Sequence, residues 1–140
     1  MVIYVTLDSS VIVAALREQE ETHEVCKRLL EKVKDGDFIA LEPYTVLIEV
    51  VAAIKRRTGS TSLGGRVKKD LQDLDTINFL DLDLVRADEA ANIAKEIGVR
   101  GMDAIVIQIA KEFDNILVSL DGEMLKRAKS VVTVKDVEDF

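Results

Sequence analysis

The sequence predicts an α/β fold: a three-layer α/β/α sandwich around a central, mainly parallel sheet, in a single domain over residues 1–140. Three observations carry this. Short β-rich runs alternate with amphipathic stretches along the whole chain. Glycine, proline or aspartate marks most of the junctions. Apolar residues fill 48% of the 140 positions and charged residues 32%, enough for one buried core under a well-solvated surface.

The elements follow in order. Val2 to Leu7 is β-rich and stops at Asp8, and Ser9 to Arg17 reads as a short helix with Asp8 or Ser9 as its N-cap. Glu21 to Lys34 is an amphipathic helix, because Val25, Leu29, Leu30 and Val33 recur at helical spacing. It ends at Asp35-Gly36, and Phe38 to Leu41 reads as the second strand. Pro43, the only proline, suits the first turn of a helix that runs to about Arg57 and closes at Gly59. Gly59 to Gly65 holds three of the seven glycines and reads as a loop or a frayed turn. Val67 to Leu74 is expected to be helical, Ile77 to Leu80 a strand, and Leu84 to Ile97 a helix closed by Gly98. Met102 to Phe113 is an apolar helix, Ile116 to Leu120 a strand, Gly122 to Lys129 a short helix and Val131 to Val134 a last strand. No repeat, low-complexity segment or long linker divides the chain.

Composition excludes several functions. With 26 acids against 19 bases the net charge is -7, which argues against a general nucleic-acid coat protein. One cysteine, Cys26, and one histidine, His23, exclude a disulfide framework, a multi-cysteine zinc site and a His-rich metal site. No apolar run approaches a membrane span, and the N-terminus lacks the pattern of a signal peptide. A cytoplasmic domain with no membrane partner is therefore expected, and its chemistry must rest on carboxylates. Asn and Gln total only six, a weak thermophile-like signal.

Four acids stand in telling places. In an open parallel sheet, ligands bind beyond the carboxyl ends of the strands. Asp8 and Asp121 each follow a strand directly there, and each also precedes a short helix, so a helix N-cap is the competing reading. One residue can do both jobs. Glu49 is the only charged side chain from Tyr44 to Ile54. Its own helical face carries Thr45, Ala52, Ala53 and Arg56, so small residues leave room beside it; a surface Glu reaching towards Arg56 is the alternative. Asp103 opens an almost wholly apolar helix, where the helix dipole also favours an acid.

If these acids converge, they need positive charge. Two carboxylates about 5 Å apart repel by roughly 3 kcal/mol at an effective dielectric of about 20. All-oxygen ligands suit Mg2+ or Mn2+ rather than zinc, and such ions assist attack on phosphodiesters without a histidine.

The segments Leu7-Asp8-Ser9-Ser10, Ile48-Glu49-Val50, Gly98-Val99-Arg100-Gly101-Met102-Asp103-Ala104 and Val118-Ser119-Leu120-Asp121 together resemble the PIN domain, the nuclease fold of VapC-type toxins from toxin–antitoxin pairs. Their order and spacing fit over essentially the whole chain. The resemblance implies a Mg2+- or Mn2+-dependent endoribonuclease with Asp8, Glu49, Asp103 and Asp121 as its catalytic acids. Asp8, Asp103 and Asp121 would hold the metal, Ser119 would support them, and Glu49 would orient the attacking water or complete the metal shell. Many relatives carry another acid just after Asp121, where this chain has Glu123. The family also implies a homodimer and an antitoxin that reaches into the site.

The charge pattern suggests how an acidic protein holds RNA. Val50 to Lys69 contains six bases and no acid, and its first members, Lys55, Arg56 and Arg57, begin nearly two turns after Glu49. Arg56 and Arg57 are the candidate substrate-binding residues; a solvated helix face is the bland alternative. Val46, Leu47, Val50, Val51 and Ile54 read as core, with a dimer or antitoxin surface as the other possibility. The alternative function is a non-catalytic PIN-like module that binds RNA or protein. Phosphotransferases of other α/β folds are disfavoured, because Asp8-Ser9-Ser10 lacks the paired acids they need after the first strand.

Overall fold

A computed structural model describes residues 1–140. In chain order the elements are β1 (Ile3–Leu7), α1 (Ser9–Leu16), α2 (His23–Lys34), β2 (Phe38–Pro43), α3 (Tyr44–Thr58), α4 (Thr61–Asp73), β3 (Ile77–Leu80), α5 (Leu84–Ile97), α6 (Gly101–Phe113), β4 (Ile116–Val118), α7 (Gly122–Ala128) and β5 (Val134–Lys135), with a closing 3-10 turn at Val137–Asp139. The five strands form one sheet in the order β3-β2-β1-β4-β5, and every pairing is parallel. Parallel neighbours need crossover connections, and the helices supply them on the two faces of the sheet.

Both faces of the central strands are therefore dry. Val5 in β1, Ala40 in β2 and Leu117 in β4 are fully buried. Above them pack Val46 and Val50 of α3 and Ile107 and Ala110 of α6. Val46, Leu47, Val50 and Ile54 thus belong to the core rather than to a partner surface, and Val51 is half-buried against it. The chain order of the strands puts the reversal of connectivity between β1 and β4, with β1 leading out to β2 on one side. Asp8 and Asp121 follow those two strands, so the topology itself places them at the switch point.

The structure departs from the sequence reading in several places; α1 and α2 are each shorter than read, and Pro43 closes β2 and sits at the N-cap of α3 instead of inside its first turn. The Gly59–Gly65 segment is not a loop throughout: α4 starts at Thr61, because the Ser60 side chain caps it by accepting the Leu63 N–H at 3.0 Å. Gly64 lies buried in that helix, where an added Cβ would stand 3.9 Å from Val51 Cγ1. The strand expected at Ile116–Leu120 stops at Val118, since the next backbone donors turn to side chains: Leu120 N–H reaches Ser10 Oγ and Asp121 N–H reaches Ser119 Oγ. The last strand lies at Val134–Lys135 rather than Val131–Val134, because Val131 and Val132 both donate to the Ala128 carbonyl as α7 unwinds. Gly59 and Gly98 close α3 and α5 in the left-handed conformation at φ +69° and +71°, as their positions predict.

Candidate active site

The site begins with the end of β1. Asp8 N–H donates to the Val118 carbonyl at 2.9 Å, which pins Asp8 to the end of β4. Its side chain is only 8% exposed, and its Oδ2 accepts from Ser10 Oγ at 2.9 Å and Ser119 Oγ at 2.8 Å. No side-chain hydrogen bond from Asp8 caps α1, so the N-cap reading does not account for this buried acid. Ser119 Oγ in turn accepts the Asp121 N–H at 3.0 Å and so ties the two strand-end acids together.

Asp121 divides its two oxygens. Oδ1 accepts the Glu123 and Met124 N–H groups, each at 3.1 Å, and caps α7. Oδ2 accepts from Arg100 Nη2 at 3.3 Å. Asp103, in the first turn of α6, accepts from Arg100 Nε at 3.1 Å through its own Oδ2. One guanidinium thus bridges two of the predicted acids. Glu123 does not join them; it pairs with Arg127 at 3.0 Å.

Glu49 is half-buried on α3 and makes no ion pair with Arg56. Burial raises its pKa first, and the charges of Asp8 and Asp103 raise it further, against Arg100 and Arg56. Burial also raises the pKa of Asp103; its bond to Arg100 opposes this, and the charges of Asp8 and Asp121 add to it. Glu49 is therefore within electrostatic reach of Asp8 and Asp103, and Asp103 within reach of Asp8 and Asp121. Their donor set is all oxygen and fits a hard divalent cation. In this arrangement no three of them are gathered tightly enough to grip one ion, and Arg100 supplies the local positive charge instead.

Glu49 also separates two open clefts. One, of about 600 Å3, runs between α5 and α6 and is walled by Ala90, Ala91, Ala94 and Ile105, with Arg100 and Asp103 at its polar end. The other, of about 360 Å3, is lined by Ser10, Ala52, Ala53, Arg56, Arg57 and Leu120. Ala52 and Ala53 provide the room beside Glu49 that the sequence suggests. Arg57 is partly committed to Glu20, 2.8 Å away, while Arg56 has no ion-pair partner. The rest of the basic strip disperses: Lys55 bonds the Gly59 carbonyl, Lys69 pairs with Asp73, and Arg66 faces a different depression. His23 starts α2 with Nδ1 2.8 Å from the Ala14 carbonyl oxygen, a local contact between α1 and α2.

Three residues of the site region escape sequence reasoning. Ser10 was legible only as part of a motif. Arg100 reaches its two acids through a loop whose course the sequence does not give. Glu42, on β2, is completely buried; its Oε2 accepts the Leu7 N–H at 2.7 Å and its Oε1 has no partner. Burial is the main cause of a pKa raised well above the ordinary value, the Leu7 bond opposes it and the Asp8 charge adds to it. The signal for Glu42 was available: a single carboxylate within the otherwise apolar run Phe38–Pro43.

Residues 5–130 match the sequence model of the PIN domain. No curated protein sequence matches the chain. Among solved structures, VapC20 of Mycobacterium tuberculosis, described as a sarcin-ricin loop cleaving toxin, superposes with a TM-score of 0.75 at 15% identity, covering 94% of this chain and 98% of the other. FitAcB from Neisseria gonorrhoeae gives 0.71 at 19% identity over 99% and 100% of the two chains. VapBC2 from Rickettsia felis, bound to a DNA fragment from its promoter, gives 0.67 at 15% identity over 97% and 98%. At these identities the superpositions establish the fold, an open parallel sheet between helical layers. The family match spans most of the chain and includes the positions of Asp8, Glu49, Asp103 and Asp121: the chain belongs to the PIN domain family.

Proposed function

We propose that this protein is a Mg2+- or Mn2+-dependent endoribonuclease, the toxin of a toxin–antitoxin pair. What supports the reading is the Ser119 link between Asp8 and Asp121, the Arg100 bridge from Asp121 to Asp103, and Glu49 within electrostatic reach of Asp8 and Asp103 beside a cleft lined by Arg56. Asp8, Asp103 and Asp121 are the residues that would hold the ion. Once bound, it supplies Lewis acidity towards water and the phosphodiester. Ser10 and Ser119 keep the Asp8 carboxylate in one orientation, and Ser119 keeps Asp121 in register with it. Arg56 and Arg57 take backbone phosphates, which positions RNA without reading its sequence. Glu49, between the acids and that cleft, orients the attacking water.

Exposed apolar side chains are the candidates for partner contacts. Ile48 is 64% exposed and Leu84 85% exposed, and Tyr44, Val85 and Met102 are exposed as well. We assign these apolar side chains to contacts with a second copy and with an antitoxin. No helix is long and apolar enough to cross a membrane. Cytoplasmic RNA is the substrate class this reading requires.

The test is cleavage of a mixed RNA pool by wild type, Asp8→Asn and Asp103→Asn in Mg2+ or Mn2+, with folding checked by circular dichroism. Wild type should cut, a chelator should stop it, and both variants should lose at least a hundredfold in rate while remaining folded. Wild-type rates in both variants would reject the assignment. RNA binding without any cutting by wild type would leave a binding module.

A further inference from the structure

We infer that Arg100 is a built-in competitor for the metal ligands, a side chain that must release Asp121 Oδ2 before a divalent cation takes that oxygen. The inference rests on the metal-dependent reading above. Its ground is atomic. Asp121 has committed Oδ1 to two backbone donors of α7, so Oδ2 is the oxygen it can offer to a ligand without giving up that cap. Arg100 Nη2 already holds that oxygen at 3.3 Å. The same guanidinium holds Asp103 Oδ2 through Nε at 3.1 Å. A cation held by Asp121 would therefore have to take the oxygen that Arg100 holds, while Asp103 keeps Oδ1 free and could meet the ion with that atom.

The backbone makes the arrangement local to this loop. Gly98 turns the chain at φ +71°, and Arg100 follows as the N-cap of α6 with extended backbone, φ -64° and ψ 154°. Its donor-only guanidinium cannot accept the first N–H groups of the helix, and it crosses to Asp121 instead. The Arg100 side chain is 79% exposed, so water screens the pairing and an incoming ion can displace it. The fork matters as well as the charge, because a guanidinium spans two carboxylates where a lysine ammonium offers a single point. The consequence is a raised threshold for the ion and a site whose negative charge is partly offset until the threshold is reached.

The test is Mn2+ binding by isothermal titration calorimetry on wild type, Arg100→Gln, Arg100→Lys and Arg56→Gln. Arg56→Gln removes a nearby charge that touches neither Asp103 nor Asp121, so it measures the long-range field alone. Arg100→Gln should bind Mn2+ about fivefold more tightly, equivalent to about 1 kcal/mol. Arg100→Lys should fall between it and wild type, and Arg56→Gln should lie within about twofold of wild type. In parallel, the Arg100 Nε–H resonance should shift on Mg2+ addition with the midpoint measured for binding. Equal affinity in wild type and Arg100→Gln, equal tightening by Arg56→Gln, or an unmoved Nε–H at saturating Mg2+ would overturn the competitor role while leaving the metal site intact. No measurable ion binding by any of the proteins would instead overturn the metal-dependent reading on which it rests.

Discussion

Replacing Glu42 with Gln tests whether a carboxylic acid is kept protonated beneath the site. Glu42 is fully buried, its one bond is the Leu7 N–H at 2.7 Å, and its other oxygen has no partner. Burial raises its pKa well above the ordinary value of 4.5. The folded protein then keeps a proton that the unfolded chain has already lost. Stability contributed by this group is full below the unfolded pKa and falls as pH rises from there through the folded pKa. Within that window one proton separates the two states, so the slope is about 1.4 kcal/mol per pH unit. Gln has the same shape, accepts the Leu7 N–H through its carbonyl and does not titrate. Urea unfolding of both proteins from pH 4 to 8, with chelator present, gives the difference in stability at each pH. That difference should move in favour of Gln from about pH 4.5 upward. A difference that stays flat with pH would show that Glu42 is ionised in the folded protein and would refute the argument from burial.

Two further perturbations bear on the site. Charge reversal at Arg56 and Arg57 should weaken RNA binding and reduce its salt slope by about one to two, measured by fluorescence anisotropy across salt; unchanged affinity would show that the cleft serves another ligand. Asp121→Ala should cost about 1 kcal/mol by removing the α7 cap, whereas Asp121→Asn should keep most of that stability and still lose Mn2+ affinity; equal thermal stability of the two would show that the cap contributes nothing.

How much was legible depended on the range of the forces involved. The bounds of β3 and α5 follow from local pattern and cap residues, so the sequence reading matches them to the residue. The α4 start is masked in the sequence by its glycines, because the Ser60 cap that sets it is a contact three residues long that composition hides. Ends set by the site were also missed: β4 is short because Ser10 Oγ, far away in the chain, takes the Leu120 N–H. The strand-end acids were readable because sheet topology fixes where strand ends lie. Arg100 was not, because its target depends on a loop torsion at Gly98 and on a carboxylate 21 residues away.

The competing readings of the acids also carry a lesson about carboxylates. At Asp121 the choice between helix cap and site residue was not a real choice. The side chain has two oxygens, and the fold spends Oδ1 on the α7 donors while Oδ2 faces Arg100. At Asp8 the cap reading fails for a different reason: the backbone is already held by Val118, and the hydroxyls of Ser10 and Ser119 claim Oδ2 instead. An acid that follows a strand and precedes a helix is thus immobilised by whichever donors are nearest, and the oxygen left over is what the site can use. That division explains why one end of this sheet can hold so many acids in a fixed geometry. Asp8 and Asp121 are anchored by bonds that do not depend on the ligand, so the repulsion between them is borne by the scaffold, whereas Asp103 is held by the Arg100 fork that an ion would have to displace.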